Sequence, residues 1–535
     1  MKIRVGLGLL AAAGAALLPS VGFAQTCTVG PFTAATPISS ISSAINSAPD
    51  GAVICLKRGE VWSGSTGFAI SKSHSATSRA LICASDSTQC TASGAANPRF
   101  QLSSADALCF GWMPASGWNL QNVDCYGPTS TNTDAMAFRI DHGSHDITVS
   151  GGVSDTFFIG LFTNAGSGAP PTNIQFGTCA APVEIRGNPS SFPGLRPAEY
   201  GPLVNSTISV NIHDFTGGNG GGQDHLLDLA SNSDYTTGSN NLTIECSTFT
   251  YSGGNLGAFI KANRGQNGVI RDSTFQNVSG GCTTSPAIGF DSHNDPPVEG
   301  WIGMQIYRNR FINTHIQIGI GQNVEIYNNI STTCAADFSR GFVQIWYTAD
   351  PEDLQVQNIH TYNNTIYFKG NSNQGNGYGL ISENPPQFTG RVTATGLTLY
   401  NNLFYDLDGG DAKVWVMPHA GCSNYGANGV NIKNNFVYSP NDSSPQLWSG
   451  CSGASGTNAA PYNTNPGLVD PANGNFSLAK GSILAGTGVS AGSPSNGDFL
   501  GNARPSPPSI GAYDLVGAGG VVPLQPPTLI QLSTN

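Results

Sequence analysis

The sequence predicts an all-β chain wound into one long parallel β-helix and closed at its N-terminal end by a short helix. Three observations predict it. Short apolar segments bounded by Gly, Asn, Ser or Pro recur along most of the chain, among them Ile270-Arg271-Asp272-Ser273-Thr274-Phe275 and Ile306-Tyr307-Arg308-Asn309-Arg310-Phe311. Each is too short for a helix and reads as a strand. A paired Asn then recurs at one point of these segments, in Tyr327-Asn328-Asn329-Ile330, Tyr362-Asn363-Asn364-Thr365, Tyr400-Asn401-Asn402-Leu403 and Lys433-Asn434-Asn435-Phe436. With Asn309, Asn329, Asn364, Asn402 and Asn435 as equivalent positions, the steps are 20, 35, 38 and 33 residues, which is one short coil plus variable insertions. Finally, the 68 glycines and the absence of a helical apolar period between repeats select a β-helix over a leucine-rich or helical array.

In chain order, Lys2 and Arg4 precede an apolar run to Leu18, and small residues Gly22 and Ala24 precede Gln25, so 1–24 reads as a secretory signal. Ile41, Ala44, Ile45 and Ala48 then sit at helical spacing within about 38–48, ahead of Pro49-Asp50-Gly51, and this segment is the expected cap over the open end of the core. The β-helix is expected over 25–515. Its first coil starts near Val53-Ile54-Cys55-Leu56, and less regular coils run from Phe100 to Asp155. Residues 165–203, rich in Gly and Pro with little periodicity, are expected as a long projecting loop. The glycines from Gly217 to Gly222 lack a following Gly-Lys-Ser/Thr and read as a turn, not a phosphate cradle. Asn475 to Tyr513 is expected to close the solenoid, and 516–535 to be a flexible tail.

Composition narrows the partners. Acidic residues number 33 against 22 basic ones, and no basic stripe is available to meet phosphates, so nucleic acid is excluded as the expected partner. No segment after the signal is long and apolar enough to span a bilayer, so an exported, secreted or periplasmic, monomeric protein is expected. Twelve cysteines fit an oxidising compartment. The expected pairs are Cys83 with Cys90, Cys246 with Cys282 and Cys422 with Cys451.

Asn side chains stacked at successive corners can hydrogen-bond along the axis, as amide ladders do in other stacked sheets. With these corners the chain resembles the secreted bacterial right-handed parallel β-helix proteins, a superfamily dominated by polysaccharide lyases and hydrolases. The resemblance implies a right-handed solenoid and a polysaccharide as partner.

A second kind of segment carries charge. Setting Leu227, Ile260, Phe290, Ile318 and Ile345 inward turns Asp228, Lys261, Asp291, Gly319 and Trp346 outward, as an exposed column with neighbours about 4.8 Å apart. His225, Arg264, His293, Tyr347 and Glu383 lie near its ends. Aromatic Trp346 and Tyr347 beside charged groups suit a sugar groove, with His225 and Glu383 as further substrate contacts. The plain alternative is a surface ladder of salt bridges contributing about 0 to 1 kcal/mol per pair.

Two enzyme mechanisms fit the column. In a lyase that cleaves a uronate polymer by β-elimination, Lys261 would be the base, Arg264 the cation that neutralises the uronate carboxylate, and His293 the acid. The segment from Lys261 to Phe275 is similar to the catalytic Lys coil of the chondroitinase B and alginate lyase family. It departs from that pattern in having Asp291-Ser292-His293 where the family has Arg-His-Gly, and in lacking acidic calcium ligands in Gly254-Asn255-Leu256-Gly257. In an inverting hydrolase, Asp228 and Asp291 would be the carboxylate pair, about 9.6 Å apart if two coils separate them. A non-catalytic polysaccharide-binding or adhesive solenoid is the third class. Calcium is the one candidate cofactor, at Asp406, Asp408 and Asp411, which have the spacing of a calcium loop but lack the closing Glu.

Overall fold

The structure, a computed structural model, describes residues 25–515 apart from 93, 129–134, 158, 165–167, 188–195, 216–224, 230–237, 253–256, 279–284, 291–299, 335–341, 346–354, 370–380, 384–392, 408–414, 417–429, 442–447, 450–454, 458–463 and 491–496. The signal segment and the tail beyond 515 therefore lie outside the described residues.

Three parallel sheets run the length of the molecule, with 16, 13 and 13 strands. Each coil contributes one strand to each. In one representative coil, Ser116–Gln121 belongs to the 16-stranded sheet, here sheet I; Asp124–Tyr126 to sheet II; and Met136–Asp141 to sheet III. Strands pair only with the equivalent strands one coil before and one coil after, which is the order of a right-handed parallel β-helix. Ile38–Ser47 forms the one α-helix among the described residues, and it buries Ile41 and Ile45 on the end of the core. This is the expected cap: without it, the first coil would leave its apolar interior open to water.

The corner from sheet I to sheet II is the most regular part. Between Glu245 and Thr248, Arg271 and Thr274, Tyr307 and Arg310, Tyr327 and Ile330, Tyr362 and Thr365, and Tyr400 and Leu403, two residues make the turn. The first of the two has positive φ: Cys246, Asp272, Arg308, Asn328, Asn363 and Asn401 all lie between 49° and 56°, a region that Asn and Asp tolerate best. The second carries an inward polar side chain. Ser273 Oγ accepts the Ser247 N–H, Asn309 Oδ1 the Ser273 N–H, and the series continues through Asn329, Asn364, Asn402 and Asn435 at 2.9–3.1 Å. Each amide also donates to the next, Asn309 to Asn329 at 3.1 Å and Asn402 to Asn435 at 2.8 Å. These groups are buried and the ladder satisfies them. Beneath it Phe249, Phe275 and Phe311 stack with centroids 5.0 and 5.2 Å apart, one ring per coil.

The first Asn of each pair points outward and holds the C-terminal segment. Asn328 Nδ2 donates to Gly497 O, Asn363 Nδ2 to Ser509 O, Asn401 Nδ2 to Val489 O and Asn434 Nδ2 to Thr487 O. The closing segment expected from Asn475 onward thus lies along this corner, after an antiparallel pair formed by Leu468–Asp470 and Asn475–Leu478.

Two expectations change. Residues 165–203 are not a projecting loop. They include strands Thr172–Phe176, Val183–Arg186 and Arg196–Tyr200, one in each sheet, so they form a coil whose Gly and Pro residues, apart from Pro197, fall between strands. Cys246 bonds to Cys179, across 67 residues, rather than to Cys282. The reason is geometric: Cys179 and Cys246 both lie on the corner from sheet I to sheet II, whereas Cys282 follows sheet II and falls outside the described residues. Cys83 pairs with Cys90 as expected, and Cys27–Cys55 and Cys109–Cys125 are further bridges. Cys422 and Cys451 lie outside the described residues.

Candidate functional site

Sheet III is the face framed by variable connections. Connections of very different length enter and leave its strands, from the short ones between Ala262 and Gly265 or Ile318 and Gly321 to the long ones between Phe215 and His225 or Val416 and Val430. Variable segments on a regular scaffold are where binding and catalysis concentrate.

On Ala258–Ala262, Ile260 and Ala262 enter the core, so alternation turns Lys261 to the outer face; on His225–Leu229, Leu227 and Leu229 enter it and Asp228 turns outward. Register pairs Leu227 with Ile260 and Asp228 with Lys261. The two charged residues are therefore neighbours along the axis, about 4.8 Å apart at the backbone. They are not exposed: Asp228 is 5% and Lys261 4% accessible. The expected exposed column is corrected here, and the cause is local crowding, since buried Asn263 lies over the pair and its Nδ2 donates to Asp228 Oδ1 at 3.4 Å.

The column also continues differently. Gly289 is the register partner of Lys261, and Gln317 and Gln344 follow it, whereas Phe290 pairs with Ala262. The column through Asp228 and Lys261 thus continues to Gly289, while Asp291, which follows Phe290 in the sequence, lies outside the described residues. Phe290, Ile318 and Ile345 do align with one another as expected. In the other direction the column runs from Asp228 to Glu199, Phe162 and Arg139, with the Arg139 guanidinium 5.9 Å from the Phe162 ring centre.

The remaining candidates divide. His225 is buried and pairs in register with Ala258. Arg264, half-buried, follows Asn263 at the end of the Lys261 strand and packs against Gly238, where an added Cβ would come within 2.5 Å of its Cγ. Glu383 is the register partner of Ile345. Asp291, His293, Trp346 and Tyr347 lie outside the described residues. Asp406 is buried and accepts from Ser439 Oγ at 3.2 Å, while Asp408 and Asp411 also lie outside. Among the described residues, the one group of potential metal ligands close together is Cys55, Cys83 and Cys90, whose sulfurs are committed to disulfides.

Two residues that sequence reasoning missed add to the face. Asn263 Oδ1 and Gln344 Oε1 are buried acceptors that receive no hydrogen bond among the described residues. Buried acceptors of this kind are rare and ask for a donor. Alternation around Val343 and Ile345 was the signal available for Gln344, but an uncharged residue drew no notice. The outer face of sheet III thus offers a buried acid, a buried amine and two acceptors able to take hydroxyl protons.

No protein-family model matches the chain, and no curated protein does. Among solved structures it is similar to an alginate lyase from Paenibacillus sp. str. FPU-7, at 14% identity and TM-score 0.36 over 67% of this chain and 97% of that one. An endo-xylogalacturonan hydrolase from Aspergillus tubingensis matches at 12% identity and TM-score 0.40, over 81% and 100%. PfbA, a surface adhesin of Streptococcus pneumoniae, matches at 9% identity and TM-score 0.42, over 78% and 88%. These similarities concern the solenoid.

Proposed function

We propose that the chain is an exported carbohydrate-active protein that cleaves a uronate-containing polysaccharide by β-elimination on the outer face of sheet III. The observation that supports this reading is the buried adjacency of Lys261 and Asp228. Burying an amine and a carboxylate costs desolvation and contributes little to stability, so their place side by side on an outer face favours a chemical role over a structural one. Asn263 Oδ1 and Gln344 Oε1 supply acceptors for sugar hydroxyls.

In the reaction, the Lys261 amine takes the proton from the carbon beside the uronate carboxylate. The electron pair left behind forms the new double bond as the glycosidic C–O bond breaks. The departing oxygen takes a proton from an acid, the role given to His293. Arg264 neutralises the uronate carboxylate, which makes that carbon acidic enough to lose its proton, and Asp228 holds the Lys261 amine in place.

Incubation with alginate, pectin, chondroitin and neutral polysaccharides tests the proposal. Ultraviolet-absorbing unsaturated ends from at least one uronate polymer are expected. Reducing ends without unsaturation replace elimination by hydrolysis, and retention without cleavage leaves a binding protein.

A further inference from the structure

A second polar cluster lies on the outer face of sheet II, away from Lys261. Register places Gln101, Tyr126, Asp155, Arg186 and His213 in one column, about 19 Å long over its five coils. Arg99, Asp124 and Glu184 stand in the column beside it. The cluster is built from direct contacts. Arg186 Nε donates to Glu184 Oε1 at 2.7 Å, and His213 Nε2 lies 2.8 Å from the same oxygen. The other His213 nitrogen, Nδ1, is 2.8 Å from Asp214 Oδ2. Asn97 Nδ2 and the Val153 N–H both donate to Asp124 Oδ1. Arg99 lies over the Tyr126 ring, 4.0 Å from its centre.

Asp155 stands apart in this network. Its nearest cation, Arg186 Nη1, is 3.8 Å away, beyond hydrogen-bond length. The carboxylate sits between a half-buried tyrosine ring and a guanidinium whose Nε is fixed by Glu184, and it keeps its acceptor capacity. Burial pushes the Asp155 carboxyl above the usual range, as expected of an acid short of donors. In contrast, the hydrogen bonds from His213 and Arg186 hold Glu184 down at about 2.

We propose that this face, at Tyr126, Asp155, Arg186 and His213, is a binding site for a neutral, hydroxyl-rich glycan strand laid along the solenoid axis. Asp155 accepts from sugar hydroxyls, the free edge of Arg186 donates to ring and hydroxyl oxygens, and the Tyr126 ring, oriented by Arg99, packs against a sugar face. Charge selects the class. Four carboxylates, of Asp124, Asp155, Glu184 and Asp214, surround Arg99, Arg186 and His213, and this excess repels a polyuronate, unlike a neutral chain. The site is separate from the Lys261 face and stands whether or not elimination occurs there.

Affinity electrophoresis of the full chain through gels containing xylan, galactomannan, mixed-linkage β-glucan or alginate tests the proposal. At least one neutral polysaccharide is expected to retard the wild type, and alginate to retard it no less in Asp155→Ala than in the wild type. Tyr126→Ala and Asp155→Ala are each expected to weaken retardation by the neutral polymer about tenfold, which corresponds to roughly 1.4 kcal/mol, with circular dichroism unchanged. Lys261→Met should leave it as it is. Should Asp155→Ala perturb the fold, Asp155→Leu, which keeps the bulk without an acceptor, is read instead, with the same loss expected. Failure of every neutral polymer to retard the wild type, or equal retardation of folded Tyr126 and Asp155 variants, overturns the proposal.

Discussion

Arg504 donates through Nη2 to Asn328 Oδ1 at 2.6 Å, joining residues 176 apart in the chain. The same guanidinium reaches Asp514 Oδ2 at 2.6 Å and the carbonyls of Gly511 and Ala512 at 2.9 and 3.0 Å. One half-buried cation therefore ties the closing segment to the Asn corner. Arg504→Ala leaves Asp514 buried without its cation, and a loss of about 3 to 5 kcal/mol is expected. Urea denaturation followed by tyrosine fluorescence should show the midpoint falling; an unchanged midpoint would mean that the segment is held by other contacts.

Within the ladder, Asn364 accepts from both the backbone and the side-chain amide of Asn329, and it donates to Asn402 and to Ile326 O. Asn364→Ala removes these bonds and a further one to Tyr362 O, and strands buried partners, each costing about 1 to 3 kcal/mol. Destabilisation of at least about 2 kcal/mol is expected. Asn363→Ala, which removes the bonds to Ser509 O and Gly511 O of the closing segment and a long one accepted from Asn401 Nδ2, should cost less. Equal losses in the two variants would contradict the separate roles given to the two asparagines.

The Glu184–His213 contact makes stability depend on pH in a stated direction. The Glu184 carboxyl is held down at about 2, so its contribution is complete above the ordinary carboxylate range and is lost as pH falls towards 2. Its partner His213 is raised by Glu184, so its contribution is complete below the ordinary imidazole value and is lost as pH rises through the folded-state value. Thermal unfolding of Glu184→Gln and wild type between pH 3 and pH 9, on the order of one-unit steps, should show their difference greatest between the two ranges. A difference that is flat across this span sinks the assignment.

The repeat was legible because the corner demands particular chemistry. Positive φ at Asn328, Asn363 and Asn401 and the ladder through Asn329, Asn364 and Asn402 restrict both positions, and the restriction shows as Asn-Asn. Leu227 and Ile260 were aligned by their apolar character, and the structure agrees. The next step slipped by two residues, since Ile288 rather than Phe290 lies beside Ile260. Apolar alternation has a period of two, so a slip of two keeps the same face inward and leaves no trace in the pattern. That slip put Asp291 into the expected column at the position that Gly289 occupies. The cluster around Asp155 stayed hidden for another reason: Tyr126, Asp155, Arg186 and His213 come from four coils, and the last two flank a stretch whose Gly and Pro content conceals its strands. The Cys246 bridge was missed because sequence distance was used where corner identity decides.

The central claim is that Lys261, buried beside Asp228, removes the proton in β-elimination. Because Lys261 is buried, truncation to Ala would also disturb its surroundings, so Lys261→Met, which keeps the length of the side chain, is the informative variant. Initial rates of unsaturated-end formation on the uronate polymer that wild type cleaves, with thermal unfolding measured in parallel, test it most directly. Loss of rate on the order of 10³-fold in a folded Lys261→Met protein is the predicted result; a folded variant that retains the wild-type rate would contradict it.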